Sequence, residues 1–152
     1  VLHHESRSLF LMHCLLEALE RAKSKKPRYI IADGYWYKYY ATEVSHGTSA
    51  AYLDKITAIF EVPDLLFYIR TTEQTTMERK TSFSRYECGF AEEPNAQSFS
   101  DFQHEAIAVL ELLMASKDPV IVQGHDSPSE CLNTVLQRLK IYHHENFYHY
   151  RN

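Results

Sequence analysis

The chain has 152 residues, 45% of them hydrophobic, which is one domain's worth of sequence and enough for a core. A formal charge of −4 gives no global attraction to nucleic acid, and no apolar run approaches the ~20 residues that a membrane helix needs. Three widely spaced cysteines (Cys14, Cys88, Cys131) without a CxxC pair argue against a disulfide framework or zinc site and for a reducing compartment, so the expected location is cytoplasmic.

The chain opens Val1-Leu2-His3-His4 without a methionine and enters a helical pattern within a few residues, so a segment upstream is expected. From Ser8 to Arg21, Leu9, Met12, Leu16 and Leu19 recur at helical spacing on one face, while Phe10, His13 and Cys14 cluster on another. Lys23 to Lys26 is a solvated basic end, and Pro27 stops the helix. Tyr29-Ile30-Ile31-Ala32 then reads as a short strand running into Asp33-Gly34-Tyr35, with a second helix from about Trp36 and a long linking region to Val62-Pro63.

Leu65 to Ile69 is the second predicted strand, running into Arg70-Thr71-Thr72. Thr71 to Gln74 has the S/T-x-x-E/Q form of a capping box, opening a helix that ends near Thr81. Residues 82–98 contain Gly89, Pro94 and scattered charges with no period, the pattern of a long mobile loop or lid. Phe102, Ala106, Val109, Leu110 and Leu113 return to helical spacing. Val120-Ile121-Val122 is the third strand, running into Gln123-Gly124-His125-Asp126. Ser127-Pro128-Ser129-Glu130 combines an N-cap serine, proline at the first helical position and a reaching glutamate, and Leu132, Val135, Leu136 and Leu139 form the expected buried face of that last helix.

Short apolar strands, each followed by a helix, imply parallel strands covered on both faces: one α/β domain over residues 1–152, a three-layer α/β/α parallel sheet. Ligands of such sheets bind beyond the carboxyl ends of the strands, so the three strand ends should share a rim for a phosphorylated ligand. Three strands are few for about five helices, and at least one further strand is expected before Val1.

Asp33 at a strand end can hold a magnesium-bound water or orient a phosphate, and Gly34 lets backbone approach a ligand closely. Spacing does not separate this role from that of a helix N-cap. Arg79, Lys80 and Arg85 lie at a helix end and in the loop after it, where cations can close over a transferring phosphoryl group, or simply form a charged surface. Phe10 can stack on a base or pack in the core, while Trp36, Tyr37, Tyr39 and Tyr40 should mostly pack. His3, His4, His143, His144 and His149 lack metal-site spacing. None of the four glycines, Gly34, Gly47, Gly89 and Gly124, belongs to a G-x-x-x-x-G-K-[ST] phosphate cradle.

In order and spacing, from about Arg7 to Ile141, these segments resemble the thymidylate kinase family of P-loop nucleoside monophosphate kinases, beginning after that family's phosphate loop. Ser8-Leu9-Phe10 to Glu20 looks like the helix whose phenylalanine stacks on thymine, and Tyr29 to Tyr35 like the strand ending in Asp-Arg-Tyr. Pro63 to Ile69 is similar to the family's PDL strand, Thr72 to Arg79 to the helix after it, Arg85-Tyr86-Glu87 to the lid's Arg-Ile-Glu, and Val120 to Glu130 to the last strand and the loop bordering adenine. Cys14 stands where the family has a base-reading arginine, and Gly34 where it has the arginine that grips the monophosphate; Lys38, about one helical turn beyond Asp33, is a replacement cation.

The resemblance implies a P-loop kinase-like domain moving the γ-phosphoryl group of ATP to a nucleoside monophosphate, dTMP, with Mg2+ as cofactor held partly by Asp33. Asp33, Arg79 and Arg85 would be catalytic. Phe10, Cys14, Gly34, Tyr35, Lys38 and Glu87 would bind the acceptor, and Gln123, Gly124, His125 and Asp126 would border ATP. A homodimer is implied, with neither nucleic acid nor membrane as partner. The alternatives are a kinase for another nucleotide, nucleoside or small acceptor, and a non-catalytic nucleotide-binding or scaffold protein.

Overall fold

Residues 3–124 and 126–149 are described by a computed structural model, with the backbone alone for 145–149. They fall into two compact units: residues 1–63 with 82–117, and residues 64–81 with 118–152.

The first unit is helical. Helix α1 (His4–Ser24), α2 (Tyr35–Ser45) and α3 (Ala50–Thr57) pack on one another, and α2 also packs on the long α5 (Ala96–Ala115). The core is aromatic. Trp36, Tyr37 and Tyr40 are buried from α2, as expected, together with Met12, Leu53, Phe60, Phe99 and Phe102. Helix α5 opens with a reciprocal capping box: Asn95 accepts from Ser98 N, and the Ser98 hydroxyl accepts from Asn95 N. The loop before it, 82–95, holds a single 3-10 turn at Tyr86–Cys88, closed by Gly89 in the left-handed region at φ 64°. Helix α3 lies inside what the sequence suggested was a linker.

The second unit holds β1 (Phe67–Arg70), β2 (Val120–Gln123), the short α4 (Glu73–Glu78) and α6 (Pro128–His149). The strands pair in parallel, Phe67 opposite Val120 and Arg70 opposite Gln123, and α6 packs on β2. The N-cap of α6 is as read: Ser127 Oγ accepts from Glu130 N, and the Glu130 carboxylate accepts from Ser127 N at 2.9 Å and from its hydroxyl at 2.6 Å. These bonds hold the Glu130 carboxyl below its usual range. The cap of α4 falls one residue later than predicted, with Thr72 Oγ1 accepting from Thr75 N.

The predicted three-layer α/β/α parallel sheet of the P-loop kinase type is not what forms. The sheet has two short strands among the described residues, and helices dominate the chain. The Tyr29–Ile31 run makes no ladder and forms no regular secondary structure, with Ile31 94% exposed. An apolar run becomes a strand only where another strand offers its edge, and the elements that pack together in its unit are helices. The buried stripe of α1 is also displaced. Arg7, Ser8 and Met12 are buried, whereas Leu9 is half exposed, because α1 covers a polar cluster and not a purely apolar one. Leu132 and Leu136 of α6 are likewise exposed.

Candidate functional site

In the first unit the chain turns into α2 at Asp33-Gly34. Gly34 is the N-cap, with φ 77° in the left-handed region, and no side chain caps the helix, so Asp33 is not spent as the cap. The first-turn amides of α2 therefore have no acceptor in the helix, and its N-terminus carries the positive end of the dipole. Lys38 N donates to Gly34 O, and the Lys38 stem folds across Gly34, where a β-carbon would lie 3.3 Å from Lys38 Cδ. Asp33 and Lys38 are both exposed, and Tyr35, buried behind them, donates its hydroxyl to Glu61 O at 2.9 Å. Burial, first of all, raises the Tyr35 phenol above its ordinary value. The corner thus offers uncapped amides and an ammonium, both suited to a phosphate, while the Asp33 carboxylate suits a cation accompanying that phosphate.

On α1, Phe10 is 59% exposed and Cys14 is exposed, so both remain on the solvent face. Cys14 and His13 line an open groove with Glu17, Ala18 and Arg21 of that one helix and Lys25 at its C-cap.

A cluster that the sequence did not reveal lies behind these residues. Glu43 on α2 is fully buried. Arg7 Nε donates to both carboxylate oxygens at 3.0 and 2.9 Å, and Arg7 Nη2 lies 2.8 Å from Oε2, at ion-pair distance without hydrogen-bond alignment. Ser8 Oγ donates to Oε2 or to His4 O, both 3.0 Å away, and the Tyr86 hydroxyl donates to Oε1 at 3.0 Å. His46 packs against Tyr86, Phe90 and Phe102 with ring centroids 4.4 to 4.6 Å apart, and the Arg7 guanidinium sits 4.8 Å from the Phe90 ring. Burial drives the His46 imidazole down to about 4 and pushes the Tyr86 phenol well up, the latter with help from the Glu43 charge. One sequence signal existed: Glu43 falls at helical spacing with Trp36 and Tyr40, an acid inside an aromatic stripe.

The predicted lid residues are turned back on their own loop. Arg85 donates from Nε to Ala91 O and from Nη2 to Phe90 O, both at 3.2 Å. Glu87 accepts from Ser84 N at 3.2 Å and from Ser84 Oγ at 2.7 Å.

The remaining predicted residues belong to the second unit, at the carboxyl ends of β1 and β2. Arg79, expected to close over phosphates, donates to Gly124 O at 2.8 Å, which brings it to the segment expected to border ATP. Gln123 is exposed and Asp126 half-buried. Gly124 is buried where a β-carbon would overlap Thr71 Cγ2 and lie 2.9 Å from Arg70 O, so only glycine fits. His125 and the side chain of His149 lie outside the described residues.

Among the described residues no three His, Cys, Asp or Glu side chains gather as a metal site. Asp33 alone does not make a cage for Mg2+, which is commonly held by one or two carboxylates together with substrate phosphates. Among the described residues no helix is long and apolar enough to cross a membrane. No protein-family model matches the sequence, and no curated protein is significantly similar to it.

Proposed function

We propose that this chain binds a nucleoside monophosphate at the α2 corner and serves phosphoryl transfer to it from ATP, with thymidylate as the acceptor, in the cytoplasm and as a homodimer. The observation that carries the reading is the corner itself: uncapped helix amides, Lys38 folded across Gly34, and an Asp33 carboxylate free of capping duty. A monophosphate dianion there meets the helix dipole and a point charge together. Phe10 offers an exposed ring of the same unit to a base, and a stacked base contributes about 1–3 kcal/mol. Mg2+ would arrive on the phosphates of ATP.

Calorimetric titration of nucleoside monophosphates, followed by an assay of phosphoryl transfer from Mg-ATP, tests the proposal. Thymidylate should bind, Lys38→Ala should weaken it about tenfold, the size of one charge-assisted contact of about 1.5 kcal/mol, and thymidine should bind worse than thymidylate. Equal response to thymidylate and unrelated acceptors would remove the thymidylate assignment.

A second reading, non-catalytic nucleotide binding, is favoured by a specific observation. Arg85 and Glu87 are occupied by neighbouring groups of their own loop and Arg79 by the Gly124 carbonyl, and these 152 residues contain no G-x-x-x-x-G-K-[ST] cradle. It predicts thymidylate binding without transfer, unaffected by Arg85→Ala.

A further inference from the structure

We infer that the 82–95 loop is latched to helices α1 and α2 through the Tyr86–Glu43 hydrogen bond, and that release of this latch lets the loop move as a unit, carrying Arg85 and Glu87 with it toward a bound nucleotide. The purpose of the latch rests on the nucleotide reading above; its geometry does not.

Two loop side chains four residues apart, Tyr86 at the start of the 3-10 turn and Phe90 after it, both pack on the His46 ring. The Tyr86 hydroxyl adds a polar contact to this packing, and it ends on a fully buried carboxylate. The other donors to that carboxylate, Arg7 and Ser8, both come from α1. When Tyr86 withdraws, Glu43 keeps its ion pair and its hydroxyl donor, while the phenol, on a half-buried residue, passes to water. No buried charge is stranded, so the large penalty for breaking a buried pair does not apply. A contact that joins a loop to a rigid pair of helices, and can open without stranding a charge, behaves as a reversible catch and not as a core bond. Arg85 is folded onto Phe90 O and Ala91 O within the loop, so its position follows that of the loop.

Hydrogen exchange of the nucleotide-free protein, wild type against Tyr86→Phe, tests the latch. The substitution keeps the ring against His46 and removes the hydroxyl alone. The reporters are the amides of Cys88, Phe90 and Ala91, bonded to Arg85 O and Cys88 O within the loop. They should exchange roughly tenfold faster, the effect of losing one hydrogen bond to a charged group, while amides inside α2 and α5 keep their wild-type rates. Unchanged loop rates would overturn the latch, and so would an equal acceleration in α2 and α5, which would make the bond part of the global core. Ser84→Ala, which cuts the bond from Ser84 Oγ to Glu87 but not the latch, should leave the Phe90 amide at the wild-type rate; acceleration equal to that of Tyr86→Phe would also overturn it. Added thymidylate separates the two proposals: if it alters loop exchange in neither protein, the nucleotide reading fails and the latch stands on the Tyr86→Phe result.

Discussion

Replacing Glu43 with glutamine should be the most damaging single-atom change in the first unit. The carboxylate is fully buried and receives Arg7, Ser8 and Tyr86. An amide of the same shape leaves the buried Arg7 guanidinium uncompensated, and its NH2 faces donors where an acceptor is needed. Breaking a buried pair from one side costs about 3–5 kcal/mol, which at ~2–4 °C per kcal/mol for a chain of this size lowers the melting midpoint by roughly 6–20 °C. Trp36 is the sole tryptophan, buried on the same helix as Glu43, so its fluorescence during urea or thermal denaturation reports on this unit directly. Removing both charges with Arg7→Met and Glu43→Leu should recover most of the loss, since a well-packed apolar replacement of a buried pair is often neutral. A Glu43→Gln protein within about 1 kcal/mol of wild type would refute the claim that the pair organises this core.

Three further outcomes follow from the same geometry. His46, 7% exposed and held down to about 4, takes up its proton in the unfolded chain first; stability should therefore fall as pH drops from about 6.5 toward 4, by up to about 3 kcal/mol, and His46→Phe should flatten that slope in acid denaturation. Gly124→Ala should cost about 1–3 kcal/mol in the second unit, because the new β-carbon meets Thr71 and the Arg70 carbonyl, measured as a lower urea midpoint. Ser127→Ala should cost about 1 kcal/mol by removing the α6 cap, read from far-ultraviolet circular dichroism on heating.

Much of the local structure was legible. Helical spacing placed α1, α5 and α6, a second helix was expected from about Trp36, the Ser127–Glu130 box set the start of α6 correctly, and two of three predicted strands pair in parallel. What failed was information that the local chain does not carry. Tyr29–Ile31 has strand composition, but a ladder also needs a neighbouring edge, which no spacing rule reports. Leu9 missed its expected buried environment because periodicity counts apolar residues, whereas α1 buries Arg7, an arginine whose partner, Glu43, lies 36 positions away. Of the candidate site, the Asp33-Gly34 turn was readable from residue type and position, whereas the exposure of Phe10 was not, since an aromatic ring on a helix packs in the core as readily as it faces a ligand. The Glu43 cluster was not, apart from one acid in an aromatic stripe, and the folding back of Arg85 depends on a turn whose carbonyls no sequence pattern announced.

If the start of α2 receives the phosphate of a nucleoside monophosphate, as proposed, the amides of Tyr35, Trp36 and Tyr37 are its direct witnesses. In an NMR titration those three amides should shift with thymidylate, saturably, and much less with thymidine at the same concentration. If they stay in place for thymidylate, or respond equally to both ligands, the α2 corner is not a phosphate site.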